Sequence, residues 1–488
     1  MPSQRAVPGP GCLKFGERVL VLTISLLATA VTVSWGLHAK FICGGPTFDA
    51  AGRSSGFPQG PRGTIIPCYS DLMQLWTTRG LDQHLLPYVH GGIDAHGHLF
   101  GGVVEYPVLS GMLIWLGSLG AHSDLSFLLH SAAILAPFAF ATTALLACMT
   151  RWWAMLWAAA PPLVLYSFHN WELPVVFTSV AAVAVVTYGR SLHPETGRPR
   201  LRLRTSAVCA AVLLGIGFSL KIYPGLFVLP LAVYVLTANG RGRRALDWAG
   251  AAWVAGAAIV TVAATQLPFM VAGYDGWKAA LDFQGRRQAD ATTNGIWYWG
   301  LRYLLDGDTP AYRSAVDIGS PLLIVAGISL ALWIGVRRLR RDGTYPWLQV
   351  AAAMLAVFML FHKVHSPQYT LWILPFFVML TVRWQLIAVY LIADVAMDLS
   401  VFRFLGMAHS ADRDAAWSIW VVGATSWIHV VCLAVFVVMF ARARIREPLA
   451  SYLASTGAPS GPLTRLALAD AARSPAAAET GCSSSQTT

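Results

Sequence analysis

The sequence predicts an all-α polytopic membrane protein, on three observations. Mean hydropathy is +0.56, charged residues make up only 12% of the chain, and apolar runs long enough to span hydrocarbon recur from Val19 to Phe440. A soluble domain needs more polar surface than this. The runs are continuous rather than alternating, which argues against a β-barrel. A formal net charge of +11 would suit nucleic acid. The basic residues, however, fall in short clusters between apolar runs, the positive-inside pattern of a chain whose partner is a lipid bilayer. No nucleic-acid partner is expected.

Residues 1–18 are a cytoplasmic leader with Arg5, Lys14 and Arg18. No small-residue cleavage site closely follows the first run, Val19 to Leu37, so an uncleaved first helix is expected. The clusters at 189–204, 240–244, 337–342 and 442–447 are placed in the cytoplasm with the N-terminus. Parity then sets the rest. Residues 154–189 and 206–238 each supply two crossings, with the turns "FHNWELP" and "SLKIYPG" outside. Residues 248–270 exit, 271–316 form an external loop, and 318–336 re-enter. The hairpin 347–361 and 369–382 carries "HKVHSPQ" at its external tip, and 385–400 and 417–440 close the series. The segment 106–120 would put the basic clusters outside if it crossed. It is therefore expected as an interfacial helix within a first external loop of 38–123. The result is about 12 crossings in a transmembrane domain of 19–445. The Ala-, Ser-, Gly- and Thr-rich segment 446–488 is expected as a disordered cytoplasmic tail.

On this topology the remaining polar residues converge on the outer face: Asp71, Arg79, Asp82, Glu105, Asn170, Glu172, Lys221, Arg286, Arg287, His362, Lys363, His365 and Gln368. Trp76, Tyr106, Trp171, Trp297, Tyr298 and Trp299 lie among them. Carboxylates can act as general base, cations can hold phosphate oxygens, and aromatic faces suit sugar C–H surfaces as well as the membrane interface. Lys221 also fits a snorkelling side chain, and Glu105 a helix cap. No GxxxxGK[ST] phosphate loop occurs. The energy for group transfer would have to reside in the donor, and no cofactor is expected. His90, Asp94, His96 and His98 lie in a Gly-rich stretch expected to be a solvated loop, so no metal is assigned. Asp394 and Asp398 are expected to be solvated near the outer end of their helix. Cys43 and Cys68 alone share the external loop. A disulfide between them would tether Asp71 near the top of the first helix.

The order "YSDL", "RGL", "PY", "VEYPVLSG", then "NWEL", "KIYP" and "HKVHSPQYTLWILP" resembles the polyprenyl-phosphate-sugar-dependent glycosyltransferases of the C-type membrane fold. It is most similar to the actinobacterial mannosyltransferases of glycosyltransferase family 87, over roughly residues 17 to 445. The resemblance implies inverting, metal-independent transfer of a sugar, usually mannose, from a polyprenyl monophosphate to a glycolipid or polysaccharide acceptor outside the cell. It selects Asp71 over Asp82 as the catalytic base. Lys221, Lys363, His362, His365 and Arg286 become candidates for the donor phosphate. Glu105, Arg79, Tyr106, Tyr223, Gln368 and Glu172 become candidates for sugar or acceptor. The chain departs from the family where Glu172 replaces a frequent Asp, and where Val108 follows Pro107 in place of a second proline. A lipid or sugar transporter is the rival class; it predicts charges in mid-span and paired halves.

Overall fold

The computed structural model describes residues 15–55, 68–193, 196–238, 245–307, 309–407 and 416–454. Among them, eight helices are long and apolar enough to cross a membrane: Gly16–Phe41, Asp124–Ala158, Glu172–Arg190, Leu203–Leu220, Trp248–Ala272, Pro310–Asp342, Trp384–Leu405 and Trp417–Arg442. Shorter apolar helices cover Val108–Ser118, Tyr223–Leu236 and Trp347–Phe361, with a further one at Thr370–Met379. The short elements fall in the second half of 206–238, where two crossings were expected, and at the single crossings expected over 347–361 and 369–382. Pro224 and Pro375 sit within two of them and limit regular helix there.

The core is built around two of the short helices. Every residue of Thr370–Met379 is buried, and so is nearly all of Trp347–Phe361. Apolar side chains run all round both, as expected of helices enclosed by other helices. Trp347–Phe361 packs on Trp417–Arg442, which pairs with Trp384–Met407, while Glu172–Arg190 packs on Leu203–Leu220 and that in turn on Trp248–Ala272. The outer helices keep apolar faces open: Ile259, Val260 and Val271 on one, Ile318, Leu322 and Val325 on another. Such faces suit lipid rather than water.

Three expectations are corrected. The re-entry helix is longer than 318–336, because Thr309 caps it (its hydroxyl accepts the Tyr312 N–H at 3.2 Å), Pro310 opens it, and Gly343 closes it in the left-handed conformation. The basic stretch 337–342 is thus its last turns, and Arg338 donates to the Ala441 carbonyl at 2.8 Å. The tail is ordered as far as Ala454: Arg446 N–H donates to the Met379 carbonyl at 2.9 Å, and a helix covers Leu449–Ala454. Residues 455–488 and the cluster 240–244 lie outside the described residues. Asp394 and Asp398 are fully buried rather than solvated; Thr370 donates to Asp394 at 2.6 Å, and Lys40, itself buried, lies near Asp398.

The segment expected as a loop, 38–123, carries its own structure. Helix α1 (Phe15–Phe41) is followed by α2 (Asp71–Thr78) and a hairpin of β1 (Gly92–Ile93) with β2 (Leu99–Phe100), then by α3 (Val108–Ser118). At the hairpin turn Asp94 accepts the N–H groups of His96 and His98 at 2.9 and 2.8 Å, the local bonding that makes Asp a turn residue. Among the described residues no group of three or more His, Cys, Asp or Glu side chains could hold a metal ion.

Cys43 and Cys68 form a disulfide, with Cα atoms 5.8 Å apart and a sequence separation of 25. It joins the end of α1 to the residues that lead into α2. Replacing both with Ser is expected to cost about 3 kcal/mol through the freed loop, read as a lower thermal midpoint of the purified protein.

Candidate active site

Asp71 opens α2, where a carboxylate is favoured by the helix dipole. Both ends of α2 are held. At its start the Asp71 N–H donates to the His169 carbonyl at 2.9 Å, and the Ser70 hydroxyl to the Phe168 carbonyl at 2.6 Å. At its end Arg53 donates to the Gln74 carbonyl at 3.1 Å and the Gln74 side chain at 2.7 Å. The turn "FHN" before the Glu172–Arg190 helix therefore fixes the position of Asp71.

The carboxylate of Asp71 is a quarter exposed, with a side-chain accessibility of 24%. Asn170 Nδ2 donates to its Oδ2 at 2.8 Å, Tyr69 hydrogen-bonds it as well, and His169 Nε2 lies 3.8 Å away. Burial pushes the Asp71 carboxyl above the ordinary aspartate range. The bonds from Tyr69 and Asn170 and the charges of Lys221 and Arg287 pull it back only in part. Burial, with the charges of Lys40 and Lys221, holds the His169 imidazole well below its usual value, so it is neutral near pH 7.

Around Asp71 stands a second polar layer. Arg79 pairs with Glu105 through two bonds, at 2.8 and 3.1 Å, and Gln284 Nε2 reaches the Glu105 carbonyl at 2.5 Å. Both partners face each other, which removes the cap reading of Glu105. Tyr106 is half-buried, and its backbone carbonyl accepts from the Tyr88 hydroxyl at 2.8 Å. A side chain at Gly111 would collide with that same hydroxyl. Ser110 donates to the Leu220 carbonyl at 2.7 Å and so joins α3 to the residue before Lys221. The "PY" and "EYPVLSG" stretches thus make one piece of local packing.

Lys221 does not snorkel. Its ammonium pairs with Glu172, which is wholly buried and also accepts from Trp372 Nε1 at 2.6 Å and Gln368 Nε2 at 3.4 Å. The rings of Trp372, Tyr369 and Tyr106 surround the ammonium at 5.3, 5.5 and 5.6 Å. Glu172 and Gln368 thus form the buried surroundings of Lys221.

Other expected ligands turn elsewhere. Tyr223 is buried, stacked on Trp372 at 4.5 Å, with its hydroxyl against Ser179 at 3.5 Å. His365 donates from Nδ1 to the Met359 carbonyl at 3.0 Å, and burial pushes it down to about 4, so it carries no charge for a phosphate. His362 stacks on Phe358 at 4.6 Å with Nδ1 against the Val364 carbonyl, and burial lowers it too. Lys363 bonds Asp317 at 2.9 Å and the Gly285 carbonyl at 3.3 Å. Arg286 is exposed, whereas the charge of Arg287 is felt at Asp71, Tyr369 and His362. The helix Tyr274–Arg286 ends between these two arginines, and that end decides which of them turns inward.

Tyr69, His169 and Arg287 join the site without having been assigned a role by sequence reasoning, and Asn170 moves to its centre. The signals were their positions on the expected outer face and, for Tyr69 and Asn170, their place in the stretches "YSDL" and "NWEL".

The connectivity separates two ends of the bundle. Glu172 opens the helix that finishes at Arg190, Lys221 follows the helix that starts near Arg204, and Arg442 closes the last long helix. The site and the basic cluster at 189–204 thus lie at opposite ends of the helices Glu172–Arg190 and Leu203–Leu220.

No curated protein matches the chain. Two solved chains of the archaeon Archaeoglobus fulgidus are similar. The first is an oligosaccharyltransferase in the apo form, at 14% identity and a TM-score of 0.37, covering 87% of this chain and 56% of that one. The second is the oligosaccharyltransferase AglB in complex with an inhibitory peptide and a dolichol-phosphate, at 13% identity, a TM-score of 0.37 and coverage of 86% and 56%. The chain thus spans just over half the length of those proteins. Residues 200–440, just under half of the chain, match the model of a family described as Mannosyltransferase (PIG-M), which supports a membrane glycosyltransferase of mannosyl type.

Proposed function

We propose that this chain is a glycosyltransferase of the C-type membrane fold, of the actinobacterial family 87 kind. It moves mannose from a polyprenyl monophosphate donor to a glycolipid or polysaccharide acceptor, on the extracytoplasmic face of the plasma membrane. The observation that carries the reading is the partly exposed Asp71 carboxylate, oriented by Asn170 and faced by the charges of Lys221 and Arg287. Counting the short apolar segments at 155–166, 223–236, 347–361 and 370–379 as crossings brings the spans to twelve, with α3 lying at the outer interface.

The reaction is one displacement. An acceptor hydroxyl oxygen attacks the anomeric carbon, its proton passes to Asp71, and the bond to phosphate breaks with the electron pair leaving on the phosphate oxygen. A phosphate monoester departs without protonation, so a second carboxylic acid is not required, unlike glycoside hydrolysis. Arg287 is the cation that stabilises the departing charge, since Lys221 shares its own with Glu172 and Lys363 shares its own with Asp317. Arg79 and Glu105 line the approach to the acceptor side. The test is transfer by the purified protein in lipid nanodiscs, with polyprenyl-phosphate mannose, arabinose, glucose and galactose as donors. Mannose transfer is expected; labelled sugar that stays on its lipid with every donor would end the reading.

Buried Lys40, Asp394 and Asp398 are the feature a transporter would share. They favour that rival only if intact donor lipid crosses the bilayer in the same preparation.

A further inference from the structure

Asn170 lies at the centre of the site with its side chain buried, and all of its polar atoms are committed. Its Oδ1 accepts the Trp171 N–H at 2.6 Å, so the amide cannot be turned over without losing that bond. Both remaining contacts therefore use the two hydrogens of Nδ2. One goes to Asp71 Oδ2 and the other to the Tyr106 hydroxyl oxygen, each at 2.8 Å. Tyr106 thus receives a hydrogen bond, and no described acceptor takes its own hydroxyl hydrogen.

We propose that Asn170 is a positioning residue that fixes which groups of the site donate and which accept. Through it, Asp71 meets the acceptor as a hydrogen-bond acceptor and Tyr106 meets it as a donor. The Asp71 Oδ2 and the Tyr106 hydroxyl oxygen share one nitrogen, so they lie no farther apart than twice 2.8 Å. A vicinal diol bridges such a span, because its oxygens are themselves about one hydrogen-bond length apart, ~2.8 Å. One hydroxyl gives its proton to Asp71, and its neighbour accepts from Tyr106. The acceptor class is a sugar ring whose attacking hydroxyl has an adjacent hydroxyl, not an isolated alcohol. This rests on the glycosyltransferase reading, and it adds Asn170 and Tyr106 as the pair that selects the diol.

The titratable and charged groups that face Asp71 come from several elements: Lys40 of α1, Tyr69 before α2, Tyr106 before α3, His169 in the same turn as Asn170, Lys221 and Arg287. Asn170 hydrogen-bonds both Asp71 and Tyr106.

The test is labelling of Asp71 by dicyclohexylcarbodiimide, which reacts with the protonated carboxyl. The full chain is used in nanodiscs, and labelling is followed by mass spectrometry across pH. Asn170→Ala removes a donor that favours the ionised form, so its labelling midpoint is expected to rise by roughly one pH unit. Asn170→Asp keeps the bond to the Trp171 N–H but sets a carboxylate against Asp71, and its midpoint is expected to rise further. Tyr106→Phe should leave the midpoint in place. Methyl mannoside is expected to protect Asp71 of the wild type from labelling. Its monodeoxy derivatives should protect about tenfold less well where the missing hydroxyl is one of the pair, and Tyr106→Phe should level that difference. Unmoved midpoints in both Asn170 variants overturn the positioning role. Equal protection by every deoxy derivative, or none by methyl mannoside, overturns the diol. Labelling needs no turnover, so a wild type that transfers no mannose would count against the proposed function alone.

Discussion

Asp71→Asn is expected to lower sugar transfer by about three orders of magnitude, the middle of the range for removing a general base. The change is nearly isosteric. An amide oxygen still accepts from Asn170, so the turn 168–170 and α2 stay in place. What is lost is the capacity to accept a proton from the attacking hydroxyl. Donor binding through the cations is untouched, and KM for the donor should stay within a few-fold. The pH profile gives a second check. The base works only when ionised, and burial raises Asp71 above the ordinary ~3.9 of an aspartate. Transfer should therefore climb with pH through that raised value, and its acid limb should sit above that of an unperturbed carboxylate. Initial rates with labelled polyprenyl-phosphate mannose across pH measure both. A variant with near wild-type turnover would move the base elsewhere.

Lys221→Met is expected to cost about 3 kcal/mol of stability or more, the cost of stranding a buried charge. Glu172 has no exposure, and only Trp372 and Gln368 would remain to bond it. The double variant Lys221→Met with Glu172→Gln removes both charges and keeps an acceptor for the Trp372 N–H. Much of the loss should return, because a buried pair replaced as a pair is often close to neutral. Thermal unfolding of the four proteins completes the cycle. Equal loss in the single and the double variant would show that Lys221 acts through its aromatic surroundings, not through Glu172.

The sequence reading reached different depths at different residues. A resemblance singled out Asp71 as one carboxylate among several in a polar interruption, and the structure places it at the start of α2. The partners that orient it were not singled out. Asn170, His169 and Tyr69 are single polar residues in aromatic stretches, without the period that betrays a helix face or a strand. The histidines 362 and 365 read as cations by residue type, but a hydrogen bond to a backbone carbonyl and burial make His365 neutral. Arg286 and Arg287 are adjacent, and only the end of their helix tells them apart.

The sequence by itself determined that the chain is a bundle of apolar helices with its basic residues in short clusters between them. Those facts follow from composition and from the order of runs along one dimension, where the cost of burying charge in hydrocarbon governs. Only the tertiary structure decided that Lys221 belongs to Glu172, that Asp394 and Asp398 are enclosed, and that Asn170 joins Asp71 to Tyr106. Each of these is a contact between elements far apart in sequence. The direction of a donor hydrogen depends on which neighbour the fold supplies, and that neighbour is set by packing.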